Sequence, residues 1–246
     1  MTDDHLWVKI TCMDNHSRKI LLFDIDGTLL EPAGIGRLCY RRALEDVLGH
    51  SISTDHVEMA GRTDWQILND LLTYAGLAEN QIEHHRKAVF DALARHIATA
   101  APTSKIHSLP GVLSLMDRLA LDERFLLGLV TGNSRAVVSH KLHAVGIDPG
   151  LFIVGAFGDE HPDRNALPAL ALYRLSQMLG DQISPESVLV IGDTPHDIAC
   201  ARHTGLKVLG VATGIFKIED LEKHQPDYLL QDLSDTEAVL RIFHEF

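Results

Sequence analysis

Asp24 and Asp26 stand one residue apart at the end of the apolar run Ile20-Leu21-Leu22-Phe23, and Gly27-Thr28 follows them. On an extended chain Ile25 points to the opposite side, so both carboxylates face the same way. Acids at the carboxyl end of a buried strand are costly unless a cation or a reaction compensates their charge. Asp24 suits a nucleophile, because a carboxylate can form an aspartyl-phosphate intermediate. Asp26 is then placed to protonate the leaving oxygen and later to deprotonate water. Gly27 lets the backbone turn closely past the site, and with Thr28 it is a candidate for binding phosphate.

Three later segments supply the remaining parts of such a site. Thr131-Gly132-Asn133-Ser134 lies where an apolar strand gives way to a helix. There a hydroxyl and free backbone N–H groups make an anion cradle, although the same residues also read as an ordinary helix cap. Arg164, within Asp159-Glu160-His161-Pro162-Asp163-Arg164-Asn165, can neutralise a phosphoryl group and nearby carboxylates, or can be a solvated surface arginine. Gly192-Asp193-Thr194-Pro195-His196-Asp197 ends another strand. Asp193 suits a hard cation, with Asp197 as a ligand or a supporting group, while Asp-Thr-Pro also fits a capping turn. Together the segments fit Mg²⁺-assisted phosphoryl transfer. Asp24, Asp193 and the backbone carbonyl of Asp26 form the expected metal set, with Asp197 beside it.

These residues need a scaffold that gathers strand ends. Apolar strands are expected near residues 20–23, 125–131, 152–157, 187–191 and 207–211, with a short last one at 228–230. Helical patterns alternate with them from residue 111 onward. That alternation predicts an α/β fold, a doubly wound, mainly parallel Rossmann-like sheet with ligands at the carboxyl ends of its strands. Residues 33–103 carry only helical periodicity, punctuated by Gly49, Gly61 and Gly76, and read as an inserted all-helical cap domain. The catalytic core is then 1–32 with 104–246, residues 1–18 being an extension.

Bulk properties narrow the classes. The chain has 246 residues, 46% of them hydrophobic, enough for a sizeable core. A net charge of -12 without a basic stripe argues against nucleic acid as a partner. Cys12, Cys39 and Cys200 form neither a Cys-x-x-Cys pair nor an even set, which fits a reducing compartment. No apolar run approaches the roughly 20 residues of a membrane span, and the first residues lack a signal-peptide pattern. A cytoplasmic monomer or homodimer is expected.

With the four segments in order, the chain resembles the haloacid-dehalogenase-like hydrolases over residues 19–230. The resemblance rests on Asp24-x-Asp26-Gly27-Thr28, Thr131, a basic residue at 164 and Gly192-Asp193-x-x-x-Asp197. It implies Asp24 as nucleophile, Asp26 as general acid/base with its carbonyl on Mg²⁺, and Thr131 as a ligand of the phosphoryl oxygens. Gly132 and Asn133 belong to the same phosphate-binding turn. It also implies Asp193 as metal ligand with Asp197 sharing or supporting that role. The insertion looks like the family's mobile helical cap. Gly61-Arg62-Thr63-Asp64 is similar to the cap loop of phosphoglycolate phosphatase-like and β-phosphoglucomutase-like members, which makes Arg62 the candidate for reading the substrate's non-reacting end. The alternative is that Thr63 caps a helix and Arg62 is solvated. One departure stands out: the family usually has lysine, often before proline, where this chain has Arg164 before Asn165.

The implied activity is a Mg²⁺-dependent phosphatase for a small phosphorylated metabolite. A phosphosugar mutase of the β-phosphoglucomutase kind is the alternative enzyme, using the same residues. A catalytically idle binding or regulatory module is a third reading, weakened by the presence of Asp24, Asp26 and Asp193.

Overall fold

The computed structural model describes residues 18–246. The expected N-terminal extension, with Cys12, therefore lies outside the described residues except for Arg18. Strand β1 (Lys19–Phe23) is hydrogen-bonded on both sides, to β4 (Phe125–Val130) and to β6 (Val188–Gly192), both parallel. Its unbroken apolar run follows from that position: Leu21 and Phe23 enter the cluster on one face of the sheet, and Ile20 and Leu22 the cluster on the other. With β5 (Phe152–Ala156), β7 (Lys207–Val211) and β8 (Tyr228–Leu230) the sheet has six strands in the order β5-β4-β1-β6-β7-β8. Every pairing is parallel. The doubly wound sheet read from the sequence is the one observed, and strand order reverses beside β1.

Between β1 and β4 the chain runs through helices α1 (Ile35–Leu48), α2 (Asp64–Tyr74) and α3 (Glu79–Ala100). Leu44, Leu68, Leu71, Leu72, Val89 and Ile97 give these helices a hydrophobic cluster of their own. That cluster also takes Val137, from the chain that follows β4. The entry and exit strands, β2 (Leu30–Glu31) and β3 (His107–Ser108), pair antiparallel. Two-residue strands carry no periodicity, so neither was visible beforehand. The later helices are α4 (Val112–Leu121), α5 (Arg135–Ala144), α6 (Leu167–Leu179), α7 (Pro195–His203), α8 (Ile218–Glu222) and α9 (Thr236–Glu245). Among the described residues no helix is long and apolar enough to cross a membrane.

The start of α2 is stitched directly to the loops that follow β4 and β5. The first N–H groups of a helix have no intrahelical partner. Here Asp64 N–H donates to Gly132 O at 2.7 Å and Trp65 N–H to Gly158 O at 2.8 Å. Thr63 caps the helix by accepting from Gln66 N–H at 3.1 Å, while its hydroxyl donates to Pro162 O at 3.0 Å. The fit leaves no room for a side chain on the core loops. A Cβ on Gly132 would overlap Arg62 O, and one on Gly158 would overlap Gly132 O and crowd Asp64 N.

Gly158→Ala is therefore expected to cost about 1–3 kcal/mol through overpacking at this junction. At roughly 2–4 °C per kcal/mol for a chain of this size, thermal unfolding should show a clear drop in Tm. Gly36→Ala, in α1 with open space around it, is the control and should leave Tm unchanged or raise it.

Candidate active site

The turn after β1 builds the first part of the site. Ile25 O accepts from the N–H groups of Thr28, Leu29 and Leu30, and Gly27 N–H donates to Leu30 O at 2.8 Å. This closed turn requires the positive φ of 81° at Gly27, and a Cβ there would overlap the Asp193 carboxylate. Asp24 thus follows β1, 4% exposed, and lines a cavity of about 270 Å³ together with Asp26, Gly27, Arg62, Gly132, Asn133, Arg164 and Asp193.

Asp193 follows β6, the strand next to β1, so the two acids converge. With Asp197 from the first turn of α7 they form a buried triad whose oxygens lie within 4.8 Å of one another. Burial pushes the Asp24 carboxyl up to about 6, with Arg164 opposing the rise and Asp197 adding to it. Asp193 is raised well above the carboxylate range by burial, then by Asp197 and Asp24. Thr28 donates to Asp193 Oδ1 at 3.2 Å, stabilising its ionised form.

Arg164 is not a surface residue. It is buried, lies 3.3 Å from Asp24 Oδ1, and bonds Asp197 Oδ1. Burial opposes its charge, but Asp197 and Asp24 outweigh that and hold the guanidinium more basic than free arginine. Asp197 itself is fully spoken for: Oδ1 takes Arg164, while Oδ2 accepts from Thr194 N–H at 3.0 Å and its hydroxyl at 2.7 Å in a capping box. Both readings of Asp-Thr-Pro hold at once, since the turn caps α7 and also presents Asp193. Asp197 acts on Asp193 through charge and holds Arg164 in place.

The donor set suits a hard cation. Asp24 Oδ1 is buried and accepts no hydrogen bond from the described residues, and three buried carboxylates face one guanidinium. Asp24 and Asp193 have oxygens to offer, whereas those of Asp197 are engaged.

Beside Asp24, Thr131 accepts from Asn133 N–H at 3.3 Å and Asn133 Nδ2 at 3.0 Å. Asn133 Nδ2 also reaches Asp26 Oδ2 at 3.2 Å. Ser134 is the N-cap of α5, but its side chain makes no capping bond. Instead Ser134 N–H donates to Asp64 Oδ2 at 2.6 Å and Arg135 N–H to Asp159 Oδ1 at 2.9 Å. Part of the expected anion cradle at this helix start is therefore filled by the protein's own acids. Burial raises the Asp64 carboxyl, against the pull of the Ser134 bond.

Lys141 was missed in the sequence. It lies two turns into α5, 3% exposed, and its Nζ bonds Asp26 Oδ2 at 2.5 Å and Asn133 Oδ1 at 2.6 Å. It adds a second buried cation to the cavity beside Arg164 of the third segment, and it answers Asp26 where Arg164 answers Asp24 and Asp197. One signal was available: Lys141 interrupts the side of α5 that carries Val137, Val138 and Leu142. Arg62, placed by the resemblance on the substrate's far end, lines the cavity while pairing with Asp70 Oδ2 at 2.6 Å. Cys200 is buried against the triad, and burial pushes its thiol up to about 12, which suits a packing role.

This geometry agrees with what the chain is similar to. The family model of haloacid dehalogenase-like hydrolases matches residues 21–211. Pyrophosphatase PpaX of Bacillus pumilus is 26% identical over 238 residues, covering 93% of this chain and 99% of its own length. Phosphoglycolate phosphatase of Colwellia psychrerythraea is 24% identical over 230 residues, covering 91% of this chain and 97% of its own. The crystal structure of a predicted phosphoglycolate phosphatase from Haemophilus somnus shares the fold, with a TM-score of 0.66, 24% identity, and coverage of 92% and 100%. The resemblance read from the four segments is borne out: the protein belongs to the haloacid dehalogenase-like hydrolases and is a phosphatase among them.

Proposed function

We propose that the protein hydrolyses a small phosphate monoester through an aspartyl-phosphate on Asp24, with Mg²⁺ as its cofactor and Asp26 as proton carrier. One observation carries the reading: Asp24 stands buried at the cavity with an oxygen free of hydrogen bonds, beside Asp193 and 3.3 Å from Arg164. The relatives named for pyrophosphate and phosphoglycolate support phosphoryl transfer as the chemistry.

In the first step Asp24 attacks phosphorus, the bond to the leaving oxygen breaks, and Asp26 supplies that oxygen with a proton. In the second, water attacks phosphorus, Asp26 takes its proton, and the Asp24–phosphorus link opens to release phosphate. Lys141 and Asn133 orient the Asp26 carboxyl by bonding the same oxygen, Oδ2. An arriving phosphoryl group competes with Asp26 for the Lys141 ammonium, freeing that carboxyl to act on the leaving oxygen. Thr131 and the turn through Gly132 contribute the donors for the phosphoryl oxygens. Mg²⁺ bound by Asp24, Asp193 and the Asp26 carbonyl would offset the carboxylate charge and polarise a phosphoryl oxygen. The helical unit of residues 33–103, docked through Asp64 and Trp65, serves as the cover that excludes water.

With Mg²⁺ and p-nitrophenyl phosphate, Asp24→Asn is expected to abolish phosphate release and the burst that reports the phospho-enzyme. Asp26→Asn should lower kcat by about 10²–10⁴-fold. Full turnover in either variant would remove that residue from the mechanism.

The two cations are expected to behave differently. Lys141→Ala should cost about 10²–10³ in kcat, partly restored by Lys141→Arg, with a smaller fall in Tm than Arg164→Ala because the Asp26 it leaves unpaired is partly exposed to water. Arg164→Ala leaves the buried acids uncompensated and should destabilise the fold by about 3–5 kcal/mol, read as a fall in Tm. Equal effects of both variants on Tm would contradict this division.

Because folding raises the Asp24 carboxyl from its ordinary value to about 6, the native state binds the extra proton and stability falls as pH rises through that interval. Above pH 6 the charge penalty is fully present. Saturating Mg²⁺ should therefore raise Tm more at pH 7.5 than at pH 5, and Asp193→Asn should erase most of the difference. A Tm indifferent to Mg²⁺ at pH 7.5 would refute the metal assignment.

A further inference from the structure

Part of the cavity's lining takes no role in the chemistry and is left to meet whatever carries the phosphate. Met59, Ala60, Ile67 and Ile215 supply most of its apolar wall, and Tyr40 and Glu31 its polar groups. Two cations reach it, Arg37 and Arg62, and both are already engaged by the protein. The Arg37 guanidinium donates to the carbonyls of Thr54 and Val57. Arg62 donates to Glu58 O at 3.3 Å and pairs with Asp70 Oδ2 at 2.6 Å. The Tyr40 hydroxyl donates to Asp64 O at 3.2 Å. Of the acids on this lining, Asp64 already accepts from Ser134 N–H at 2.6 Å, and Glu31 has one backbone bond from Ala33 N–H at 2.9 Å with no ion pair among those described.

A second anionic group arriving here would have to draw Arg62 from Asp70 and would settle near Glu31 and the buried Asp64. An uncharged alcohol or hydrocarbon part would displace water from Met59, Ile67 and Ile215 at no such electrostatic cost. Resting on the phosphatase reading above, we propose that the enzyme selects phosphate monoesters whose leaving alcohol is uncharged and partly apolar. It discriminates against substrates carrying a second anion, and the Arg62–Asp70 pair sets part of that preference.

A matched pair of substrates isolates the charge. 2-Hydroxyethyl phosphate and 2-phosphoglycolate differ by a hydroxymethyl group against a carboxylate, and p-nitrophenyl phosphate serves as the reference for turnover with Mg²⁺. The expected result is a kcat/KM at least about fivefold higher for 2-hydroxyethyl phosphate, a modest factor because the Arg62–Asp70 pair is half exposed and screened. Inorganic pyrophosphate should be poorer than p-nitrophenyl phosphate. Asp70→Asn releases Arg62 and should narrow the ratio, chiefly through a lower KM for 2-phosphoglycolate. Equal or better use of 2-phosphoglycolate by an enzyme that turns over p-nitrophenyl phosphate would overturn the selectivity alone. A ratio unmoved by Asp70→Asn would remove the Arg62–Asp70 pair from it. No Mg²⁺-dependent release from any of these esters would overturn the phosphatase reading itself.

Discussion

Three buried carboxylates, Asp24, Asp193 and Asp197, gather at the ends of two adjacent central strands, and one buried guanidinium stands against them. Such a cluster repels itself, and burial amplifies the repulsion by removing the water that would screen it. The surroundings are organised around containing that charge. Arg164 bridges Asp24 and Asp197, Thr28 donates to Asp193, and Thr194 donates twice to Asp197. Gly27 and Gly214 let the backbone come close enough to shut the acids in, since a Cβ on either would overlap Asp193. What is left uncompensated is negative charge at Asp24 and Asp193, and a hard cation suits that place.

Positive charge on the two sides of the cavity is divided. Arg164 is locked among acids and is part of the fold's electrostatic balance. Lys141 bonds Asp26 and Asn133 and lies close enough to Asp64 to lower its carboxyl, on the side where a leaving group would be handled. A guanidinium is suited to the first task because its planar fork reaches two carboxylates together and stays charged when buried. An ammonium on a flexible stem is suited to the second, because it can exchange one oxygen for another. The pairing of the helical unit with the core adds a further link. Asp64 caps α5, the helix that carries Lys141, while its own N–H caps against Gly132. The start of α2 and the turn through Gly132 and Ser134 are thus held by the same residue.

Much of this was legible in the sequence. The Ile20–Phe23 run could only be a strand covered on both faces, and Asp24, Asp26, Asp193 and Thr131 each follow an apolar strand, so a parallel sheet necessarily brings them to one edge. The family resemblance needed no more than those segments and their order. Arg164 was a candidate as the basic residue among the acids of its loop, yet its burial was not visible, because a lone arginine among acids reads equally well as a solvated one. Lys141 was not found at all: it sits in a helix with no motif around it, and a lysine at helical spacing ordinarily faces water. The roles of Asp64 and Asp70 also escaped, since Asp64 depends on partners far along the chain and Asp70 on an arginine in the loop before its own helix.

The sequence by itself determined the strand rhythm, the helical insertion and the acids at the strand ends, because these are set by local periodicity and by what a buried strand tolerates. The tertiary structure alone decided which cation answers which acid and which groups remain free for a ligand. Lys141 meets Asp26 across 115 positions of chain, Arg164 meets Asp24 across 140, and Asp64 reaches Ser134 across 70. Electrostatic pairing depends on distance through space and on burial, and neither is written in the spacing of residues along the chain.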